Sequence, residues 1–240
     1  MIPAAPRPLL GRFVRWILRR KLARGLSAVR VVGLERLRAE AAARPVLLCA
    51  NHTAFWDGPL VELLSAHAHL DARVLMLASQ LRKAPLLRWA GAFGVEEGDA
   101  RDGARALRHG ARFLVEPGRA LWIFPQGRQR PAWERPLAFR GGAARIARLA
   151  PGCAVVPVSI HYELGEREEP EAWVLFGAPL EGRRAAAADL SRLLEAAVST
   201  GLDRLRETIS AGHEVPSLLQ PHARLGEGPA TRLLARALKQ

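Results

Sequence analysis

The stretch Val46-Leu47-Leu48-Cys49-Ala50-Asn51-His52-Thr53-Ala54-Phe55-Trp56-Asp57 joins an apolar run to a polar loop, and it decides the architecture of the chain. The run has the composition of a buried strand, and the Gly58-Pro59 pair that follows opens an amphipathic segment typical of a helix. Ligands of α/β proteins bind at the carboxyl ends of strands, where His52 stands. We therefore predict that His52 is a general base and that Asp57 orients its ring.

A second apolar run, Leu121-Trp122-Ile123-Phe124, also ends abruptly, in Pro125-Gln126-Gly127-Arg128-Gln129-Arg130-Pro131. The first glutamine of this loop can donate and accept hydrogen bonds, and the glycine allows a ligand to approach the backbone closely. The arginines can hold an anion. The alternative is an ordinary Pro/Gly turn with surface arginines.

Strand and helix patterns alternate over residues 28–210, which predicts one α/β domain. Residues 1–27 form a separate basic segment, and residues 211–240 form a tail that contains prolines and glycines. Pro157 cannot donate a ladder hydrogen bond, so we expect it at an edge, a bulge or a strand end. The predicted elements are strands at 28–32, 46–50, 74–77, 121–124 and 154–160, helices at 60–70, 103–115 and 190–209, a polar turn at 33–35, a loop at 91–99 and a short helix in the tail.

The amino end carries much of the positive charge. The formal net charge is +13, and only cations precede the first acidic residue, Glu35. On a helical wheel the large apolar residues and several arginines occupy different sides, which predicts an amphipathic helix on an anionic membrane surface. Arginines interrupt the apolar residues too often for a spanning helix, and no signal-peptide core follows. The apolar side contains Leu9, Leu10, Phe13, Trp16 and Ile17, and the charged side contains Arg12, Arg15 and Arg19.

The basic segment has two alternative functions. Its apolar side could pack on the core of the protein itself, with the arginines simply solvated. It could also bind nucleic acid, but neither interleaved exposed aromatic residues nor a known nucleic-acid-binding motif accompanies the charge. We therefore expect an anionic membrane surface and no nucleic acid as the partner of this segment.

Cysteine and histidine usage predicts an intracellular protein without a metal centre. Cys49 and Cys153 lie in apolar runs and form no Cys-x-x-Cys motif, which is typical of a reducing compartment. His67, His69 and Asp71 could suggest a metal site, but no further cluster of ligands with recognisable spacing supports it. A helix end with solvated histidines is the simpler interpretation.

Four motifs stand in a fixed order along the chain: Asn51-His52-x4-Asp57, Phe124-Pro125-Gln126-Gly127, Phe139-Arg140-Gly141-Gly142-Ala143 and Val156-Pro157-Val158. In order and spacing they resemble the motifs of the lysophospholipid acyltransferases, the family of 1-acylglycerol-3-phosphate acyltransferases. The resemblance covers about residues 29–180. It implies a mixed central sheet flanked by helices, and transfer of a fatty acyl group from acyl-CoA or acyl carrier protein to a lipid hydroxyl without metal or other cofactor. It also implies that His52 takes the hydroxyl proton and that Asp57 stabilises the imidazolium.

The chain departs from the family pattern near the residues associated with the phosphate of the acceptor. Gln126 replaces the usual glutamate, Gln129 stands where the family has an arginine, and the arginine generally found near Glu97 is missing. The acceptor is therefore either lysophosphatidate or a phosphate-free lipid, such as a glycolipid, an aminolipid or a glycosylated terpenoid. The residues predicted to bind it are Gln126, Gly127, Arg128, Arg130 and Arg140.

The expected location is the cytoplasmic face of a membrane, with peripheral or monotopic attachment. The expected partners are the membrane lipid acceptor, the acyl-CoA or acyl carrier protein donor and the anionic membrane surface. A hydrolase is the first alternative, but the chain has no Gly-x-Ser-x-Gly nucleophile motif. The second is a non-enzymatic basic membrane-binding protein, which would retain its activity after replacement of His52.

Overall fold

The computed structural model describes residues 1–165, 167–180 and 187–219. Its strands are β1 Ala28–Val32, β2 Val46–Ala50, β3 Asp71–Leu77, β4 Ala92–Val95, β5 Arg119–Ile123, β6 Ala154–Glu163 and β7 Glu171–Phe176. Its helices are α1 Pro8–Gly25, α2 Leu34–Ala43, α3 Asp57–His67, α4 Ala78–Lys83, α5 Ala100–Phe113, α6 Gly142–Leu149 and α7 Ala187–Ser210, and a 3₁₀ helix spans Pro85–Ala90. In the described residues the strands form one sheet in the order β1-β7-β6-β2-β5-β3-β4. Only β6 and β7 pair antiparallel, so the α/β fold with a mixed sheet is confirmed.

Strand β2 lies in the middle of the sheet and is buried along its whole length. Val46, Leu48 and Ala50 face the layer that contains α1, α2 and α3, whereas Leu47 and Cys49 face the layer that contains α5, α6 and α7. Burial on both faces explains why the strand is a continuous apolar run without polar alternation. The predicted strand is therefore confirmed, and its carboxyl end leads directly into the polar loop.

One short strand contradicts the sequence prediction. Residues 91–99 are predicted to be a loop, but Ala92–Val95 forms strand β4 at the edge of the sheet. The N–H of Ile2 donates to the carbonyl of Gly94 at 2.9 Å, and the N–H of Gly94 donates back at 2.8 Å. A Cβ atom at Gly94 would lie 2.9 Å from the Cα of Ala78, so this glycine allows the strand to pack against α4.

Strand β6 corrects the expectation for Pro157. The strand is internal, between β2 and β7, and Pro157 pairs in register with Cys49 of β2. On its other side, the carbonyl of Pro157 accepts from the N–H of Gly177, the residue directly after β7. The N–H that Pro157 lacks therefore falls where the partner strand β7 ends, so few hydrogen bonds between the two strands are lost.

The first and last strands along the described chain, β1 and β7, pair through a contact that the sequence does not reveal. Strand β7 pairs with both β1 and β6, and its short run follows charged residues that obscure the pattern. The predicted turn at 33–35 is shorter than expected, because α2 begins at Leu34. Gly33 has a φ of 83°, and a Cβ atom there would lie 2.5 Å from the carbonyl oxygen of Phe176.

Helix α1 packs on the domain along one side and leaves several other large apolar side chains exposed. Gly11, Val14 and Leu22 are buried, and a Cβ atom at Gly11 would lie 2.5 Å from the carbonyl oxygen of Trp89. The exposed large side chains are Leu9, Leu10, Phe13 at 56%, Trp16 at 50% and Ile17. No helix within the described part of the chain is long and apolar enough to cross a membrane.

The carboxyl end of the described chain covers both faces of the sheet. Helix α7 buries Leu190, Leu194, Val198, Leu202 and Leu205, as the sequence predicts. After it, the N–H of Leu218 donates to the carbonyl of Val29 at 2.8 Å, so the chain returns to β1. The predicted helix in the tail and its basic end at 231–240 lie outside the described residues.

Candidate active site

His52 and Asp57 form a hydrogen-bonded pair at the carboxyl end of β2. Strand β2 ends at Ala50 and α3 begins at Asp57, so the short loop between them carries the histidine back towards the helix start. The Nδ1 atom of His52 lies 2.6 Å from Oδ2 of Asp57. The imidazole remains partly exposed, and within the described residues its Nε2 atom has no protein hydrogen-bond partner.

Asp57 is fully buried, and its carboxylate accepts several further hydrogen bonds. The backbone N–H groups of Thr53 and Ala54 donate to Oδ2 at 2.8 and 3.0 Å, and the hydroxyl of Tyr162 donates to Oδ1 at 2.7 Å. Burial and the adjacent carboxylate raise the pKa of Tyr162 well above its ordinary value, so the hydroxyl stays protonated and donates. These donors fix the position of the carboxylate beside the imidazole.

A second loop holds the backbone of His52 in place. The side-chain oxygen of Gln126 accepts from the N–H of His52 at 2.5 Å, and the N–H of Arg130 donates to the carbonyl of His52 at 2.9 Å. The ring of Phe124 lies against the imidazole, with a centroid distance of 4.6 Å. Gln126 is only 4% exposed, so its carboxamide supports the histidine from inside the protein.

Asn51 continues the sheet beyond the last residue of β2. Its side-chain nitrogen donates to the carbonyl of Ile160 and its side-chain oxygen accepts from the N–H of the same residue, both at 2.8 Å. This exchange copies the pattern of a backbone ladder and ties the catalytic loop to β6. Since Asn51 is buried, the pair defines where the strand stops and the loop begins.

The predicted substrate-binding residues gather around the loop between β5 and α6. Gly127 has a φ of 70°, and a Cβ atom there would lie 3.0 Å from the guanidinium of Arg140. The N–H of Arg140 donates to the carbonyl of Pro125, which holds the two predicted segments together. Arg140 lies 3.7 Å from Glu97, and Arg130 contacts its neighbour Glu134. Arg128 is exposed on the same loop.

Comparison with known proteins identifies the family of the chain. A sequence model of the family described as Acyltransferase matches residues 28–161, more than half of the 240-residue chain. The chain belongs to the acyltransferase family. The match contains both members of the His52–Asp57 pair and the loop that carries Gln126.

A curated relative of this acyltransferase is the lyso-ornithine lipid O-acyltransferase of Pseudomonas aeruginosa. The two sequences are 31% identical over 209 residues, which cover 82% of this chain and 74% of the relative. Both comparisons agree on acyl transfer as the reaction, so the chain is an acyltransferase enzyme.

Tyr162 is the neighbour of the His52–Asp57 pair that sequence reasoning misses in this acyltransferase, whereas Asn51 belongs to the predicted motif and only its contacts with Ile160 were not predicted. Tyr162 is the only tyrosine of the chain, and it stands on β6 shortly after the Val-Pro-Val motif, which is the one signal that could have revealed it. Its contact with Asp57 spans 105 residues of sequence. Across residues 1–165, 167–180 and 187–219, no group of three His, Cys, Asp or Glu side chains could hold a metal ion.

Proposed function

We propose that this acyltransferase moves a fatty acyl group from the thioester of acyl-CoA or acyl carrier protein to the hydroxyl of a lyso-lipid with an amino-acid headgroup. The observation that carries the proposal is the His52–Asp57 pair. Asp57 is buried and held by three other donors, whereas the Nε2 side of His52 faces the mouth of the site. A histidine held in this way can take a proton from an incoming hydroxyl without reorganising its surroundings.

In the proposed reaction, Nε2 of His52 accepts the hydroxyl proton of the acceptor as its oxygen attacks the thioester carbonyl. The new C–O bond forms a tetrahedral intermediate, and its collapse breaks the C–S bond. The imidazolium then gives its proton to the leaving thiolate, so a free thiol and an ester result. Asp57 remains ionised and stabilises the imidazolium. General base catalysis of this kind contributes about 10² to 10⁴ in rate.

The developing oxyanion needs donors that the fold does not already use. The N–H of Gly127 donates to the carbonyl of Phe124 at 3.0 Å, so that group is occupied by its own turn. Among the described residues, the backbone N–H groups of Arg128 and Gln129 have no hydrogen-bond partner and are the nearest candidates on this loop. A single donor at such a position contributes about 10² to 10³ in rate.

The charged side chains at the mouth of the site, Arg140 and Glu97, favour a headgroup that carries both a positive and a negative charge. Arg140 and Glu97 face each other at 3.7 Å, and both side chains are more than half exposed, so the pair can open for a ligand. An amino-acid headgroup has a carboxylate for Arg140 and an ammonium for Glu97. A phosphate, in contrast, would meet the repulsion of Glu97. The lyso-ornithine lipid specificity named for the relative supports the same acceptor class.

Membrane attachment through α1 would bring the site to its insoluble acceptor. The outward residues Phe13, Trp16 and Ile17 form an apolar strip, and the arginines beside it match anionic headgroups. Each cation near an anionic surface contributes about 1 kcal/mol to binding. We therefore place the protein on the cytoplasmic face of the membrane, where thioester donors are made.

The test is release of free thiol from an acyl thioester by purified protein on vesicles. We expect release with a lyso-aminolipid such as lyso-ornithine lipid, less with lysophosphatidate, and none above background for His52→Ala. Acyl-CoA and acyl carrier protein are compared as donors in the same assay. Release with lysophosphatidate alone would overturn the proposed acceptor, and equal release by the wild type and His52→Ala would overturn the proposed mechanism.

A further inference from the structure

A groove lies between the carboxyl half of α1 and the loop that carries His52. Its volume is about 300 Å³. We call it the α1 groove. Its floor is formed largely by aromatic and aliphatic side chains, and three cations line it from α1. The lining residues are Trp16, Ile17, Arg20, Lys21, Arg24, Gly25 and Trp56.

The cations of the α1 groove lack acidic partners. The ion pairs found among the described residues lie outside the groove, for example between Arg30 and Glu171 at 2.8 Å. Within residues 1–165, 167–180 and 187–219, no carboxylate lies within 4.0 Å of the charged groups of Arg20, Lys21 or Arg24. Arg20 instead lies over the ring of Trp16, 5.5 Å from its centroid. Unpaired cations beside exposed aromatic rings suit an anion that carries apolar chains.

The α1 groove touches the catalytic loop directly. Trp56 immediately precedes Asp57 and is the N-cap residue of α3. The fit between its ring and α1 leaves no room, since a Cβ atom at Gly25 would lie 2.1 Å from that ring. The neighbouring Phe55 is 61% exposed, and the ammonium of Lys21 lies 4.4 Å from its ring centroid. A ligand in the groove therefore contacts the residue next to the buried aspartate.

We propose that the α1 groove binds one anionic membrane phospholipid and that this lipid stabilises the active position of the His52 loop. The headgroup phosphate lies among Arg20, Lys21 and Arg24, and the acyl chains follow Trp16 and Ile17 along the outward face of α1. The lipid is neither acceptor nor donor in the reaction. This proposal rests on the membrane attachment proposed above for the source of the lipid, and on the groove for its recognition.

The first test measures binding of dihexanoyl-phosphatidylglycerol, used as a monomer, by the change in tryptophan fluorescence of the full chain. The variant Arg20→Gln/Arg24→Gln should bind about 30-fold more weakly, since each cation near the anion contributes about 1 kcal/mol, which is about fivefold in affinity. The matched control is Arg7→Gln/Arg12→Gln, which removes the same charge from the N-cap and first half of α1, outside the groove. The control should stay within about threefold of the wild type, because salt screens distant charges.

The second test measures thiol release in neutral detergent micelles with and without phosphatidylglycerol. We expect activation of about fivefold in the wild type and in the control, a modest coupling between two sites, and none in the groove variant. Equal lipid affinity in the two variants would overturn the proposal, because the attraction would then be general. Displacement of the bound lipid by coenzyme A or by acyl carrier protein at similar concentrations would also overturn it and would assign the groove to the donor.

These tests separate the groove from the proposed function. Binding of the short-chain lipid does not require turnover, so it is measured equally well on His52→Ala. Lipid binding by a wild type that transfers no acyl group to any acceptor would contradict the proposed function alone. Acyl transfer that ignores anionic lipid, in a protein that does not bind the monomer, would contradict the groove alone.

Discussion

The cations at the mouth of the active site and those of the α1 groove differ in how they are neutralised. At the mouth, Arg130 contacts Glu134 at 2.5 Å and Arg140 faces Glu97 at 3.7 Å. In the described parts of the chain, the groove cations have no carboxylate within 4.0 Å. Arg130 and Arg140, between β5 and α6, are therefore paired with carboxylates, whereas the cations of the α1 groove are not paired within the described residues.

The two proposals together assign a different kind of lipid charge to each of these regions. A mouth of mixed sign attracts a headgroup that is itself of mixed sign, and it discriminates against a simple phosphate. A groove of single sign attracts a net anion, and its apolar floor adds affinity that salt does not screen. The high net charge of +13 is thus more representative of α1 than of the active site.

The largest expected effect is on the rate of acyl transfer, in a variant that leaves the cations of the active-site mouth and of the α1 groove in place. His52→Ala should lower the rate of thiol release about 10³-fold, because it removes the general base and leaves the cations unchanged. Binding to phosphatidylglycerol vesicles, measured by flotation, should equal that of the wild type. Circular dichroism serves as the folding control. Loss of vesicle binding in a folded variant would show that the two regions are not independent.

The second effect concerns the carboxylate beneath α1. Burial raises the pKa of Glu62 to about 6, although Arg15 and Arg19 oppose the shift. A raised pKa means that the folded protein holds the proton more tightly than the ordinary value of 4.5 allows. The stabilisation is therefore complete below pH 4.5 and is lost as the pH rises through about 6. At about 1.4 kcal/mol per pH unit, the free energy of unfolding should fall by about 2 kcal/mol.

Glu62→Gln should remove this slope, and urea unfolding between pH 4.5 and 7 measures it. The control Glu116→Gln changes an exposed carboxylate on a surface turn and should keep the slope of the wild type. A slope that survives in Glu62→Gln would assign the pH dependence to another group. Burial of Glu62 under α1 would then not be the source of the pH dependence.

The third effect tests the hydrogen bond from Tyr162 to Asp57, the last residue of the stretch that carries His52. Tyr162→Phe keeps the ring but removes the donor to Asp57, so kcat/KM should fall about tenfold, in the range of a hydrogen bond to a charged group. The measurements are kcat/KM for thiol release and the free energy of unfolding in urea. A purely structural tyrosine would lower the free energy of unfolding and leave kcat/KM of the folded variant unchanged.

The smallest expected effect comes from giving the mouth of the active site a single sign of charge, as in the α1 groove. Glu97→Arg replaces the mixed pair by two cations and should shift the ratio of kcat/KM towards lysophosphatidate about fivefold, since the exposed site is strongly screened. Glu116→Arg makes the same charge change just before the amino end of β5, whereas the site follows the carboxyl end of that strand, and it should leave the ratio unchanged. An unchanged ratio in both variants would remove Glu97 from headgroup selection.

Local patterns in the sequence predict the placement of the central pair well. The continuous apolar run of β2 reflects burial on both faces, and His52 and Asp57 are close in sequence, so one strand end and one helix start bring them together. Their roles as base and orienter stay predictions. The strand prediction fails at β4, because the glycines of residues 91–99 resemble a loop until Ile2 pairs with Gly94.

The sequence by itself determined the α/β class, the strand that leads into the His52 loop and the cationic helix at the amino end, because each depends on periodicity or on neighbours in the chain. Only the tertiary structure decided that Gln126 lies inside and holds the backbone of His52, and that Tyr162 reaches Asp57 across 105 residues. It also decided that α1 docks through its glycines and turns Trp16 outward. Contacts between distant segments depend on how whole elements pack, and no local pattern encodes that.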